Sequence, residues 1–144
     1  MKIVDVNILL YVTNTAAEAH RRVKGWWDIA LEGNEPIGLT WHAIIGFVRI
    51  STTPKMFPQP LSVEQALAKI AAWIGHANTR IIQETAEHAQ LFAELLTAIG
   101  TAGKVTSDAH LAALAISHNA TLVSCDTDFA RFRRLKWENP LAVP

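Results

Sequence analysis

The sequence predicts a three-layer α/β/α fold with a mainly parallel central sheet. Short apolar strands alternate with helices along the 144 residues, which is typical of parallel sheets covered by helices on both faces. Thr15 with Glu18, and Ser62 with Gln65, have the spacing of capping boxes that open helices. Half of the residues are hydrophobic and only 18% are charged, which is enough apolar material for a buried core. We therefore expect a single domain over residues 1–144.

The first half of the chain contains the following predicted elements, in order. They are a short buried strand at residues 2–4, an apolar run over residues 6–12, a helix over residues 15–31 that stops at Gly33, a strand over residues 36–39, and a helix capped by Thr40 that reaches residue 50. Pro54, Pro58 and Pro60 then predict a loop.

The second half continues the alternation of helices and strands. The predicted elements are a helix opened by Ser62 that reaches residue 74, a strand over residues 79–83, a helix over residues 85–99 ended by Gly100, a small-residue helix over residues 107–118, and a strand over residues 121–124. The two halves together predict one sheet with helices on its faces.

Charge and composition limit the possible classes of protein. The formal net charge is zero, so any binding of nucleic acid must come from local basic patches. Cys125 is the single cysteine, which excludes an intramolecular disulfide and suits a reducing compartment. Asp5 interrupts the start of a signal peptide, and no stretch approaches the about 18 uncharged apolar residues that a membrane span needs. We expect a soluble, cytoplasmic protein.

Three aspartates occur where a functional crevice is expected. Asp5 ends the first strand, Asp108 begins the small-residue helix, and Asp126 follows the last predicted strand. The crevice of an open α/β sheet lies beyond the carboxyl ends of its strands, so Asp5 and Asp126 are expected at the same edge. Carboxylates that lie close together repel one another unless a cation neutralises them, and ligation by oxygen alone suits Mg²⁺ or Mn²⁺. Such a site could activate water for attack on a phosphodiester.

A structural role is the alternative for each of these aspartates. An aspartate at a strand end often caps the next helix, and an acid in the first turn of a helix interacts favourably with the helix dipole. The combination of the three positions favours a site over three separate caps.

Three motifs resemble those of PIN domains, and they occur in the order typical of that family. The motifs are D-V-N-I-L-L-Y from Asp5 to Tyr11, S-D-A-H-L-A-A-L-A from Ser107 to Ala115, and L-V-S-C-D-T-D-F from Leu122 to Phe129. The resemblance covers essentially the whole chain. The segment from Trp41 to Leu61 and the tail around Trp137 resemble the VapC branch, the toxins of bacterial toxin–antitoxin pairs.

This resemblance implies a PIN-like fold and a Mg²⁺-dependent endoribonuclease toxin, with Mn²⁺ as a possible metal. It also implies a cognate antitoxin partner and a homodimer. Carried over by position, Asp5, Asp108 and Asp126 are the catalytic, metal-binding acids, and Ser124 is a polar residue that supports the site. The apolar helices, Trp26 and Trp27 are candidates for an interface, and packing of the two tryptophans onto the sheet is the favoured alternative.

The sequence departs from the family pattern at one position. Gly46 stands where most members carry a glutamate in the helix after the second strand. Three of the usual four acids therefore remain, and Asp128 is the nearest replacement as a metal ligand. A non-catalytic PIN-like module that binds RNA or a protein is the alternative that this departure raises.

Two further interpretations concern the surface and a rival enzyme class. A basic cluster beside Asp126 consists of Arg131, Arg133, Arg134 and Lys136. It either follows an RNA backbone, with the three arginines as the RNA-binding residues, or is a solvated surface. A phosphatase of the haloacid-dehalogenase type is a weaker alternative, because its D-x-D motif needs a second acid where this chain has Asn7. The six histidines lack the spacing of a zinc site.

Overall fold

The computed structural model of the chain describes residues 1–142 and contains one five-stranded sheet. The strands are β1 (Lys2–Val4), β2 (Ile37–Thr40), β3 (Thr79–Ile82), β4 (Thr121–Val123) and β5 (Lys136–Glu138). Their spatial order is β3-β2-β1-β4-β5, and every neighbouring pair is parallel. The predicted fold class, a parallel sheet between helical layers, is confirmed.

In the described part of the chain, six α-helices cover the two faces of the sheet. They are α1 (Val6–Thr13), α2 (His20–Glu32), α3 (Trp41–Ser51), α4 (Val63–Gly75), α5 (His88–Ile99) and α6 (Thr106–Ser117). Because side chains alternate along a strand, Val4 joins the core formed with α1–α4, whereas its neighbour Ile3 joins the core formed with α5 and α6. Within residues 1–142, none of the helices combines the length and the apolar character that crossing a bilayer requires.

Two of the predicted helix starts are confirmed by their hydrogen bonds. The Oγ1 atom of Thr40 accepts a hydrogen bond from the backbone N–H of Ala43 at 3.1 Å and so caps α3. At the start of α4, the hydroxyl of Ser62 accepts from the N–H of Gln65 at 3.1 Å, and the Gln65 side chain accepts from the N–H of Ser62 at 2.9 Å. This is the reciprocal pattern of a capping box.

The capping box predicted at Thr15 is wrong, because α2 begins at His20 and its N-cap, Ala19, makes no side-chain cap. The side chain of Asn14 takes the role instead. Its Oδ1 atom accepts from the N–H of Ala16 at 3.2 Å, which folds the segment into turns, as asparagine commonly does. The start predicted for α5 at residue 85 is also too early, because the carbonyl of Thr85 accepts a turn hydrogen bond from the N–H of His88.

Strand β5 is absent from the sequence prediction. It has only three residues, with charged side chains on either side of Trp137, so it carries little of the hydrophobic signal that marks a strand. Its backbone pairs with that of β4, so β5 forms the edge of the sheet and β4 lies inside it.

The register of the sheet brings the ends of β1 and β4 together. Val4 is paired with Val123, so Asp5 and Ser124 are the next residues at the same edge. The N–H of Asp5 donates to the carbonyl of Val123 at 2.9 Å, which continues the parallel ladder up to the first acid.

Candidate active site

Asp5 is the buried end of the site. It is 6% exposed and caps α1, with its Oδ1 atom accepting from the N–H of Val6 at 2.7 Å. Its Oδ2 atom accepts from the hydroxyl of Ser124 at 2.7 Å and from the amide of Asn7 at 3.1 Å. Burial raises the pKa of Asp5, while the hydrogen bonds from Ser124 and Val6 oppose this rise. Both carboxylate oxygens are therefore held in a fixed orientation.

Asn7 joins the first and last motifs and was not among the predicted site residues. Its Nδ2 group lies 3.0 Å from the hydroxyl oxygen of Ser124, and its Oδ1 atom accepts from the N–H of Cys125 at 3.1 Å. The signal was present in the sequence, because Asn7 is the N of the D-x-N motif. Its side-chain amide can donate and accept at once, and here it ties α1 to the loop after β4.

Ser124 is the centre of this network and is fully buried. Its hydroxyl donates to Asp5, and its oxygen accepts from the backbone N–H of Asp126 at 3.0 Å. The side chain that was predicted to support the site therefore contacts two of the three predicted acids, one through its side chain and the other through its backbone.

The remaining acids form a cluster on the open side. Each of Asp108, Asp126 and Asp128 offers a carboxylate oxygen within 4.8 Å of the others. Asp108 lies in the first turn of α6, and Asp126 caps the short 3₁₀ helix Thr127–Arg131 by accepting from the N–H of Asp128 at 2.9 Å. Asp126 therefore has the capping role considered above as the structural alternative, and it also faces two other carboxylates.

Asp108 experiences the electrostatic cost of this arrangement. Burial raises the pKa of Asp108 to about 6, with further upward contributions from the charges of Asp126, Asp5 and Asp128, while Arg131 opposes them. The charges of the neighbouring carboxylates add to the effect of burial, so negative charge is concentrated here and a bound cation would offset it. The donors are all carboxylate oxygens, the ligand type that hard divalent cations prefer, so these residues fit such an ion.

One cavity of about 470 Å³ brings the predicted acids Asp5, Asp108 and Asp126 together with Gly46. Asp128 is not among the described residues that line it. A Cβ atom placed on Gly46 would lie 3.2 Å from the Cγ2 atom of Val6, so a side chain at this position requires a small shift. Besides Asn7, the lining includes three further polar residues that were not predicted, His42, Arg49 and Ser107.

The three arginines of the predicted basic cluster line a different cavity, whereas Lys136 donates a hydrogen bond to the side chain of Asn119 at 2.8 Å. Arg131, Arg133 and Arg134 surround about 660 Å³ beside the end of α5, together with Leu95, Ala98, Ile99 and Phe132. Arg134 forms an ion pair with Glu94 at 3.0 Å, whereas Arg131 lies near enough to Asp108 to influence its pKa. The arginines thus extend away from the acid cavity rather than lining it.

Comparison with known proteins identifies the family that the motifs resemble. The family model of the PIN domain matches residues 2–135. The chain belongs to the PIN-domain family. This PIN-domain chain is 42% identical over 143 residues to Ribonuclease VapC37 of Mycobacterium tuberculosis, with 99% of each chain covered.

Solved structures support the fold assignment. VapBC2 from Rickettsia felis, bound to a DNA fragment from its promoter, is similar with a TM-score of 0.71 and 22% identity, over 96% of this chain and 97% of that one. A toxin–antitoxin complex from Klebsiella pneumoniae is similar with a TM-score of 0.68 and 16% identity, over 99% and 100%. At sequence identities this low, the likeness shows only that the PIN-domain chain shares the fold of these proteins.

Proposed function

We propose that this protein is a divalent-metal-dependent endoribonuclease toxin of the VapC type, with Asp5, Asp108 and Asp126 as its catalytic, metal-binding acids. The observation that carries the proposal is the convergence of these three carboxylates in one cavity at the carboxyl edge of the sheet. Membership of the PIN-domain family and relatives named ribonucleases support the choice of RNA as substrate.

The chain's own residues divide the work of such a site. Ser124 and Asn7 hold the carboxylate of Asp5 in one orientation, and Asp108 and Asp126 provide the oxygens that face it across the cavity. A bound Mg²⁺ or Mn²⁺ ion would supply an activated water and would stabilise the charge on a phosphodiester under attack. We propose that Asp128 contributes a further oxygen, directly or through water, because its carboxylate belongs to the acidic cluster.

Gly46 does not prevent this chemistry. Mg²⁺ commonly retains several waters and needs only one or two carboxylates from the protein, so three acids suffice without a glutamate at this position. The convergence of the remaining acids favours the active enzyme over the non-catalytic binding module. Membership of the PIN-domain family favours a nuclease over the phosphatase alternative.

The arginine cavity is the proposed path of the RNA backbone away from the acids. Arg131, Arg133 and Arg134 line one continuous surface, and arginine binds phosphate through planar, paired hydrogen bonds. Arg131 lies nearest to the acids because it influences Asp108 electrostatically. We infer that it contacts a phosphate close to the scissile bond.

We further propose a single-domain cytoplasmic protein that forms a homodimer and is neutralised by an antitoxin protein. The support is the family, together with the likeness to a solved toxin–antitoxin complex. A monomer at micromolar concentration whose expression leaves bacterial growth unchanged would contradict this part of the proposal.

The test of activity uses the purified chain and a pool of single-stranded RNA. We expect internal cleavage with Mg²⁺ or Mn²⁺, none with a chelator, and no turnover of p-nitrophenyl phosphate. RNA that stays intact with either metal would overturn the nuclease assignment, and phosphatase turnover would favour the rival class.

A further inference from the structure

A second cavity adjoins the acid cavity and shares part of its wall. It measures about 520 Å³ and lies between α3, the start of α5 and the start of α6. Its lining consists of His42, His88, Ala89, Phe92, Thr106, Ser107 and His110. His42 and Ser107 line both cavities. A ligand in this histidine pocket would therefore lie directly beside the proposed catalytic acids.

The rings of the histidine pocket form a connected set. The ring planes of His88 and Phe92 are nearly parallel, with an interplanar angle of 14° and centroids 6.3 Å apart. The ring of His110 stands edge-on to His88 at 4.8 Å and lies 5.4 Å from His42. His42 is exposed, and the other three are partly exposed, so the set is open to a ligand instead of being closed into the core.

Polar atoms in the pocket are arranged for an uncharged partner. The Nε2 atom of His88 and the Nδ1 atom of His110 are hydrogen-bonded at 3.0 Å, and the Nε2 atom of His110 faces Glu84 at 3.6 Å. The Nδ1 atom of His88 is buried and has no hydrogen-bond partner within residues 1–142. The described lining contains no lysine or arginine, in contrast to the arginine cavity, so phosphate is a poor match for this pocket.

We propose that the histidine pocket binds a nucleobase of the RNA, one adjacent to the phosphodiester that is cleaved in the acid cavity. The inference rests on the proposed ribonuclease function. Bases of single-stranded RNA stack on aromatic and histidine rings and form hydrogen bonds through their edges, and this pocket supplies both. Its volume lies within the range of small-molecule sites. The base bound here sets a sequence preference next to the cut.

Binding without cleavage tests this assignment most directly. Short single-stranded oligoribonucleotides carry a fluorescent adenine analogue at one position and random bases elsewhere, and Ca²⁺ replaces Mg²⁺. Stacking of the analogue on the rings is expected to quench its fluorescence in the wild-type protein. Phe92→Leu keeps apolar volume but removes the ring, so we expect roughly tenfold weaker binding of the quenched strand, whereas Phe92→Tyr keeps the ring and the wild-type signal.

Two more variants distinguish base binding in the pocket from effects on folding and from RNA binding elsewhere on the protein. His42→Ala changes an exposed side chain, so it should fold normally and also weaken quenching. Trp41→Leu removes an exposed ring that is outside the described lining of either cavity and should leave quenching unchanged. Equal quenching in wild type, Phe92→Leu and His42→Ala overturns the proposal, as does the absence of quenching in the wild type.

A cleavage assay on the same random pool distinguishes failure of this inference from failure of the proposed function. If the wild type cleaves RNA without a base preference next to the cut, the pocket assignment is wrong and the nuclease stands. If the wild type does not cleave with Mg²⁺ or Mn²⁺ yet quenches the analogue through Phe92, the nuclease assignment fails while the base pocket stands.

Discussion

The two halves of the candidate active site are built in opposite ways. The closed half, which consists of Asp5, Asn7 and Ser124, is held by hydrogen bonds across β1, α1 and β4. The open half consists of Asp108, Asp126 and Asp128, whose carboxylates lie close together, and burial together with the neighbouring charges raises the pKa of Asp108. The fold alone thus completes one half, and we infer that a cation completes the other.

The largest predicted effect is loss of RNA cleavage when either half loses an acid. Asp5→Asn and Asp108→Asn each remove one negative charge while keeping the shape of the side chain. We expect each to reduce metal-dependent cleavage by more than about a hundredfold, since even outer partners of metal ligands usually account for ten- to a hundredfold. Initial rates of cleavage of single-stranded RNA check this prediction. If either variant cleaves at the wild-type rate, the residue substituted in it is not a metal ligand.

The closed half should be sensitive to removal of a single hydroxyl group. Ser124→Ala deprives Asp5 of a donor and leaves the N–H of Asp126 without its acceptor. We expect a loss of about 1–3 kcal/mol in the free energy of unfolding and roughly ten- to a hundredfold weaker binding of Mn²⁺. Denaturant unfolding and calorimetry measure the two quantities.

Ser51→Ala is the matched control for this change. Ser51 is also fully buried, but its hydroxyl has no hydrogen-bond partner within residues 1–142, so its removal should cost little or even stabilise the protein. Equal destabilisation by both substitutions would show that the hydrogen bonds of Ser124 have no special role in the closed half.

The open half should respond with the opposite sign. Because the native state raises the pKa of Asp108 from 3.8 to about 6, it binds the proton more tightly than the unfolded chain does. The metal-free wild type therefore loses stability as the pH rises through this window and reaches the full loss above it. Asp108→Asn removes the penalty, so we expect it to be about 1–2 kcal/mol more stable at neutral pH, after allowance for partial solvent screening.

Thermal unfolding of the metal-free proteins across this pH range measures the difference. The gap between Asp108→Asn and the wild type should be small below about pH 4 and should grow to a plateau above about pH 6. A gap that is independent of pH would indicate that Asp108 does not carry the electrostatic cost assigned to the open half.

The smallest predicted effects concern the position of the missing glutamate and Asp128. Asp128→Asn should weaken Mn²⁺ binding only a few-fold, because its carboxylate is exposed and outside the described lining of the acid cavity. Gly46→Glu should strengthen it, because Gly46 lines that cavity, provided that Val6 shifts slightly. Gly46→Ala is the control for the added Cβ atom. Unchanged affinity in Asp128→Asn would remove this residue from the site.

The sequence was sufficient for the parts of the molecule that depend on local signals. Asp5 and Asp126 could be predicted to share an edge because parallel strands end together, and Ser62 could be predicted to open α4 because its capping box is local. The helix start predicted at Thr15 was wrong because Asn14, the residue directly before it, accepts a hydrogen bond from the N–H of Ala16 and folds the segment into a turn.

The parts that depend on packing between distant helices could not be predicted. His42 on α3 and His110 on α6 are far apart in sequence, and their rings lie 5.4 Å apart only once both helices are placed on the assembled sheet. The amide of Asn7 acquires its role only when the loop after β4 reaches it. The spacing of residues along the sequence cannot predict these contacts, because each of them forms only when the whole sheet is assembled.

The most direct test of the central claim, that a cation completes the open half, is the thermal stability of wild type and Asp108→Asn with and without Mn²⁺ at neutral pH. Without metal we predict that Asp108→Asn is the more stable protein. With saturating Mn²⁺ the order should reverse, because a ligand that binds the native state stabilises it according to its affinity, and the variant lacks one of the oxygens. An order that is the same with and without Mn²⁺ would contradict the account.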